Sequence, residues 1–283
     1  MLYCRAGGRV DAAHMLELQQ AGVEQVYVRK GEFYKFSDDL HECLDAILRQ
    51  DTIAPTEKFA ALQVAVAFDV EQSLRLVDCS KFCDVAERVG HDLVELFTAG
   101  EVLPFELFSI ARHDFHTFTH ATNVASYCVI LAERMGVSDR GELRQIASAA
   151  MLHDIGKRFI PASILTKPGR LSPAEREMIE THPSRGYEEL CQRTDLDFGQ
   201  LMMVYQHHER VDGTGYPVRI RREEIHPWAS MLAVVDVFDA MTARRPYRRP
   251  ARLDDVLDYQ QQGAGTHFDE EAVKCWISTM TQA

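Results

Sequence analysis

Apolar residues recur at helical spacing through most of this chain, and the elements they predict set the fold class before any single residue stands out. Phe59, Leu62 and Val66 share one face over residues 56–77, and Phe82, Val89, Leu93 and Leu96 do the same over residues 81–97. A shorter segment, residues 39–48, is patterned alike. Beyond residue 105 strand signal is almost absent. Val124, Cys128 and Leu131 form the stripe of one helix, and Leu143, Ile146 and Ala150 that of the next. Ser172-Pro173-Ala174-Glu175 reads as a capping box with proline in the first turn, and Gly136 as a helix stop. Only the start differs: residues 2–4 and 26–28 are strand-like and flank a helix over residues 12–20 that ends at Gly22. The pattern predicts a mainly α protein. An all-helical domain over residues 104–283 follows a small α/β-to-helical module over residues 1–103, with the boundary near residues 100–104. The module shows no nucleotide loop, phosphoacceptor or repeat, and its helices over residues 56–97 lack partners of their own. It is therefore expected to serve input or dimerisation, pairing across a homodimer.

Composition narrows the function. With 283 residues, 46% hydrophobic and 26% charged, the chain can bury a substantial core in one or two domains. Its net charge of −12 argues against a nucleic-acid polymer as partner, and the one local basic run lies in residues 244–252. Any phosphate chemistry must draw positive charge from metals or from a few placed cations. The seven cysteines form no CxxC pair and read as reduced core residues. No signal sequence or membrane-length apolar stretch is present, so a cytoplasmic setting with no membrane is expected.

The polar residues that carry chemistry collect at predicted helix ends. The stretch HHERVDGTGYP, residues 207–217, runs from a helix end into a constrained loop, in which Gly213 and Gly215 permit close backbone approach and Pro217 fixes the exit. Successive helical side chains diverge by roughly 100°, so His207 and His208 are expected to address two sides of a metal cluster rather than one ion. His120 lies on the helix with Val124 and Cys128, and His153-Asp154 ends the next. His182 precedes Pro183, which should push it out of helical geometry at a junction. Asp236 sits in a segment too apolar to hide an unpaired acid cheaply. These are nitrogen and oxygen donors without a thiolate, a set that suits Fe, Mn, Zn, Ni or Co. Glu209, His226 and Asp239 read as supporting or surface groups.

The ordered His120, His153-Asp154, Asp236 pattern resembles the HD phosphohydrolase superfamily. HHERVDGTGYP, with IPASILTKPGRLSPAEREMIETHP before it, is similar to the HD-GYP branch, the bacterial cyclic di-GMP phosphodiesterases. The resemblance covers roughly residues 105–283. It implies hydrolysis of cyclic di-GMP to pGpG, and perhaps further to GMP, at a centre of two divalent ions, Fe or Mn. His120, His153, Asp154, His182, His207, His208 and Asp236 would be the ligands, with Asp154 bridging. Lys157 and Arg245 would hold phosphates, and Gly213, Gly215, Tyr216 and Pro217 would form the loop that names the branch. His116 stands where many members have a glutamate ligand, and Arg248 where a lysine grips phosphate. A neutral imidazole compensates less charge than a carboxylate, so two ions are expected rather than three, with His116 in support. Such a centre clamps phosphoryl oxygens and lowers the pKa of a water shared between the ions, while Lys157 offsets charge developing on the phosphoryl group. The competing expectations are a silent cyclic di-GMP receptor, a module that binds a diguanylate-cyclase-type signalling protein, and a hydrolase of another nucleotide.

Overall fold

The computed structural model describes residues 43–44, 46–50, 52–73, 79–98, 117–243 and 250–281. The strands expected near the N-terminus, the boundary at residues 100–104, His116, Arg245 and Arg248 lie outside the described residues. Among the described residues the structure is helical, with no strand: α1 (Pro55–Ser73), α2 (Ser80–Phe97), α3 (Thr117–Arg134), α4 (Arg140–Leu152), α5 (Ala162–Leu165), α6 (Pro173–Glu180), α7 (His182–Leu190), α8 (Phe198–Gln206), α9 (Pro227–Thr242), α10 (Leu253–Gly263) and α11 (Glu270–Thr281). Short 3-10 helices at Ile155–Phe159 and Arg222–Glu224 interrupt the series. No described helix is long and apolar enough to cross a membrane.

The local signals act as their chemistry requires. Ser172 and Glu175 exchange backbone and side-chain hydrogen bonds around the start of α6. After α3, Gly136 adopts a φ of +98°, and the Gly136 and Val137 amides return to the carbonyls of Glu133 and Ala132, closing the helix. His182 departs from expectation. It is the first residue of α7 rather than a residue outside helical geometry, because Pro183 falls in the first turn, where a missing N–H costs nothing.

The helices α1 and α2 find their partners within the same chain. Phe59, Leu62 and Val66 of α1 and Val89, Leu93 and Phe97 of α2 are buried in one continuous core with Val124, Leu131, Ile146 and Ala150. Along α2, Gly90 permits a close crossing on α4, since a Cβ there would lie 3.0 Å from the Arg144 carbonyl oxygen. Glu95 accepts from Arg140 and Arg144 beside that crossing. The sequence expectation that these faces lack partners therefore fails, and a homodimer draws no support from them. Three of the cysteines, Cys79, Cys83 and Cys128, are buried as expected, whereas Cys43 is exposed.

Two features of this core position the site. Tyr127, Phe238 and Trp276 meet edge to face at centroid separations of 5.0 to 5.5 Å and lock α3, α9 and α11 together. The second is glycine packing. After α4 the chain tightens into the 3-10 helix Ile155–Phe159, which lies directly on the start of α7. A Cβ on Gly156 would fall 1.9 Å from the His182 carbonyl oxygen, and one on Gly186 would fall 2.9 Å from Val204 Cγ1. Only glycine allows these elements to approach so closely.

Replacing Gly156 by alanine should therefore force α7 away from the His153-Asp154 turn. We expect a stability loss of at least about 1–3 kcal/mol, the range for overpacking a core, read as a lower urea midpoint at unchanged slope. A variant as stable as the parent chain would show that the contact is not tight.

Candidate metal centre

Six helix ends or faces converge on one buried polar cluster. His120 comes from the first turns of α3, and Asp236 and Asp239 come from successive turns of α9. His153 caps the C-terminus of α4, Asp154 stands before the 3-10 helix, His182 opens α7, and His207 caps α8. His120, His153, His182 and His207 are each at most 5% exposed.

Backbone carbonyls set the tautomers of three of these histidines. His153, His182 and His207 each place Nδ1 against the carbonyl oxygen three residues earlier, at 2.6, 2.8 and 2.9 Å. A carbonyl can only accept, so Nδ1 carries the proton and Nε2 turns its lone pair inward. The consequence is an accumulation of acceptors. His182 Nε2 and His207 Nε2 lie 3.1 Å apart, and His153 Nε2 and Asp154 Oδ1 are buried with no hydrogen-bond partner among the described residues. Acceptors pressed together in this way call for a cation among them, so the donor set fits a metal.

The carboxylate of Asp154 lies between two such groups. Its Oδ2 faces His153 Nε2 at 3.4 Å and His120 Nε2 at 3.9 Å, while its Oδ1 faces His182 Nε2 at 3.3 Å and His207 Nε2 at 4.0 Å. Asp236 Oδ1 approaches His120 Nε2 at 3.2 Å and His153 Nε2 at 3.9 Å. The donors fall into three overlapping clusters: His120, His153 and Asp236; His153, Asp154 and His207; and His182, His207 and His208. Within each, the ligand atoms lie within 4.8 Å of one another. Here the sequence reasoning needs correction, because His207 and His208 share one cluster. The helix ends at Gln206, so the 100° divergence of a continuing helix does not separate the two rings, whose centroids are 4.1 Å apart.

Protonation follows from burial and from these neighbours. Burial alone would press His120 down, but hydrogen bonds to Asp236 and Asp239 outweigh it and raise the group to about 10. Burial also works against the charged forms of Asp154 and Asp236. The ammonium of Lys157 nevertheless holds Asp154 well below the usual carboxylate range, and the bond to His120 does the same for Asp236. His207 is driven well below its ordinary value by burial and by repulsion from His208, and burial takes His208 down to about 3. Lys157, partly exposed, makes an ion pair with Asp154 Oδ2.

The loop that follows is held against this centre. The Tyr216 ring lies over His208, with centroids 4.7 Å apart and planes at 33°, and the Tyr216 amide donates to the His208 carbonyl at 3.1 Å. Burial pushes the Tyr216 hydroxyl above its ordinary range. Gly213 has a φ of +80°, and a Cβ on Gly215 would sit 2.3 Å from the Arg210 nitrogen, so both glycines are structural necessities. Pro217 follows directly in the same loop.

Several residues that sequence reasoning set aside or missed also contribute. Asp239 accepts from His120 Nδ1 at 2.7 Å and from Asn123 Nδ2 at 2.9 Å, which makes it an orienting carboxylate. Buried Glu209 accepts the amides of Val218 and Arg219 at 2.6 and 3.0 Å and so anchors the loop. His226 caps α9 through Nδ1, well apart from this chemistry. The spacing of Asp239 from Asp236, three residues on one helix face, was the available sign for the first of these.

Comparison with known proteins adds independent information. The HD domain family model matches residues 108–272, more than half of the chain. The chain is 33% identical over 193 residues to the cyclic di-GMP phosphodiesterase PA4108 of Pseudomonas aeruginosa, covering 67% of this chain and 46% of that protein. It is 35% identical over 157 residues to the 3'3'-cGAMP-specific phosphodiesterase 3 of Vibrio cholerae, covering 55% of this chain and 34% of that one. The chain thus spans less than half the length of either relative. Among solved structures, the HDG"Y"P protein Bd1817 of Bdellovibrio bacteriovorus superposes with a TM-score of 0.73 over 98% of this chain and 90% of that one. At 15% identity this likeness speaks for the fold.

The metal-free protein should lose stability in acid. His208, held at about 3, stays neutral in the folded chain while an unfolded histidine takes a proton near 6.5. From pH 6.5 downward the unfolded state therefore binds the extra proton, and the stabilisation drains away until about pH 3. His207 acts in the same sense, and Asp154 and Asp236 extend the loss below the usual carboxylate range. His120 works the other way, its contribution being complete below pH 6.5 and lost as pH rises through about 10. Urea midpoints should thus fall from neutral pH toward about pH 4, and His208→Gln should flatten that slope. A midpoint indifferent to pH across this window would contradict the assignment.

Proposed function

Because the chain belongs to the HD domain family and carries the HD-GYP motifs, we propose that it is a metal-dependent phosphodiesterase that hydrolyses cyclic di-GMP to linear pGpG. The observation that carries this reading is the Asp154 carboxylate, whose two oxygens face two separate sets of inward-turned histidine nitrogens. His120, His153 and Asp236 would hold one ion, and His182, His207 and His208 a second, with Asp154 shared between them. Divalent ions such as Fe or Mn, when bound, supply charge to the phosphoryl oxygens and acidify water.

The chain's own residues bind and orient. The backbone tethers at Nδ1 keep His153, His182 and His207 in the donor tautomer without a rearrangement, so the donor set is organised before substrate arrives. Lys157 lies one 3-10 turn beyond Asp154 and is exposed enough to reach a phosphate, where its ammonium would offset developing negative charge without transferring a proton. Tyr216, stacked over His208, would close one side of the site and offer its ring face to a base, while Gly213, Gly215 and Pro217 shape the loop beside it. Arg245 and Arg248 would complete the phosphate grip. An acidic protein thereby concentrates the few cations that a dianionic dinucleotide needs at one place.

The test is product analysis after reconstitution with Mn or Fe under reducing, low-oxygen conditions, with cyclic di-GMP and 3'3'-cGAMP as parallel substrates. We expect pGpG from the first at the higher kcat/KM. His153→Ala with Asp154→Ala should abolish turnover and lower bound metal at near-normal helix content. Lys157→Ala should keep the metal and lose about 10²–10³-fold in rate, the scale for removing one electrostatic donor. Normal turnover in the double variant would refute the site, preference for 3'3'-cGAMP would reassign the substrate, and binding of either dinucleotide without turnover in the metal-loaded protein would indicate a receptor.

A further inference from the structure

A chain of buried side-chain hydrogen bonds leads from α1, outside the residues matched by the family model, to His120. In the middle of α1, Gln63 donates through Nε2 to Asn123 Oδ1 at 2.7 Å and to Thr122 Oγ1 at 3.2 Å. Asn123 Nδ2 donates to Asp239 Oδ1 at 2.9 Å, and Asp239 Oδ2 accepts from His120 Nδ1 at 2.7 Å. We propose that Gln63 is a positioning residue for the metal centre, acting through Asn123 and Asp239 to orient His120 and thereby coupling helix α1 to metal affinity. This rests on His120 being a metal ligand.

The direction of every bond follows from one end. An ionised carboxylate only accepts, so Asp239 draws the NH₂ of Asn123 on one oxygen and the Nδ1–H of His120 on the other. The Asn123 carbonyl oxygen is then left facing α1, and only a donor satisfies it there. Gln63 supplies that donor. With it in place, turning the Asn123 amide over would set oxygen against the carboxylate on one side and NH₂ against NH₂ on the other, so both amides have a single acceptable orientation.

Position 63 also argues for a role. It lies on the α1 face that buries Phe59, Leu62 and Val66, where the helical pattern calls for an apolar residue. A glutamine 9% exposed in that face is costly unless it is bonded, and an apolar side chain would satisfy packing alone. Asn123 and Asp239, each 1% exposed, cannot replace a lost partner with bulk solvent. The route from α1 to the imidazole is therefore short, dry and directional.

The experiment uses the full chain, with Mn²⁺ affinity measured by competition with a chelator. Gln63→Met fills similar space without a donor, and Gln63→Glu keeps the shape but accepts only, which turns the Asn123 NH₂ away from Asp239. We expect the Mn²⁺ dissociation constant to rise about tenfold for methionine and further for glutamate, within the 10–100-fold range for partners of metal ligands. In the metal-free protein both variants should shift the ring ¹⁵N–¹H signal of His120, identified by its loss in His120→Gln. In an Asn123→Ala background, Gln63→Met should change the constant by less than about twofold, because the relay is already cut. If Asn123→Ala or Gln63→Glu does not fold, the affinity and the His120 signal of Gln63→Met decide. Unchanged affinity and signal in the Gln63 variants, or a full tenfold loss in the Asn123→Ala background, would overturn the coupling while leaving the metal reading intact. Absence of Mn²⁺ binding by the parent chain, with the His120 signal still shifted by the variants, would overturn the metal reading and leave only the hydrogen-bond coupling.

Discussion

Everything around the centre depends on one electrostatic constraint: inward-facing acceptors and three carboxylates are held together inside a helical core. Burial of an ionised carboxylate costs several kcal/mol unless charge or hydrogen bonds offset it. At Asp236 and Asp239 the offset is His120, bonded between them and raised to about 10; at Asp154 it is Lys157. The nitrogens of His182 and His207, 3.1 Å apart, have no such offset in their neutral forms. The fold keeps them there by tethering each ring to its own backbone, so the cost of gathering the donors is met by helix ends and not by the ligands themselves.

That arrangement explains which parts of the molecule were legible in sequence. Helices such as α3 and α4 follow from periodicity, because their apolar stripes are long and uninterrupted. The His120, His153-Asp154, His182, His207-His208 and Asp236 set was legible because each member interrupts an apolar run or ends one, which makes it anomalous locally. For Asp239, three residues from Asp236, and for Gln63, set in an apolar face, the pattern marked only an unusual polar residue; nothing local showed that Asn123 joins them, with partners 116 and 60 positions away. Gly156 and Gly186 were equally silent: the need for glycine arises from a neighbouring helix, not from φ. Two inferences failed for a shared reason. Placing His182 outside the helix and keeping His207 and His208 from sharing one ion both assumed where a helix stops, and boundaries are the least determined feature of a periodic pattern.

The N-terminal helices also take on a different meaning once their contacts are visible. They were expected to await a second chain, yet α2 lies against α4 through Gly90, and α1 reaches α3 through Gln63. Those are the two helices that carry His153 and His120. Helices α1 and α2 therefore touch the two elements that carry candidate ligands, by hydrogen bonds on one side and by close backbone packing on the other. These contacts respond differently to displacement. A helix crossing packed at van der Waals distance resists compression but slides, whereas a hydrogen bond is lost within a fraction of an ångström or a change of angle.

The loop at residues 212–219 shows the complementary solution, a functional segment fixed without a helix. Buried Glu209 takes the amides of Val218 and Arg219, the His208 carbonyl takes that of Tyr216, and Gly215 lets the strap pass within contact of the Glu209 backbone. A loop so tied loses little further entropy when a ligand binds, and its aromatic ring is already stacked on a donor of the centre. Rigidity here and adjustability at α1 are consistent with one division of labour. Substrate would meet a preformed wall at Tyr216, and on the proposed coupling the orientation of His120, three hydrogen bonds from Gln63, would respond to displacement of α1.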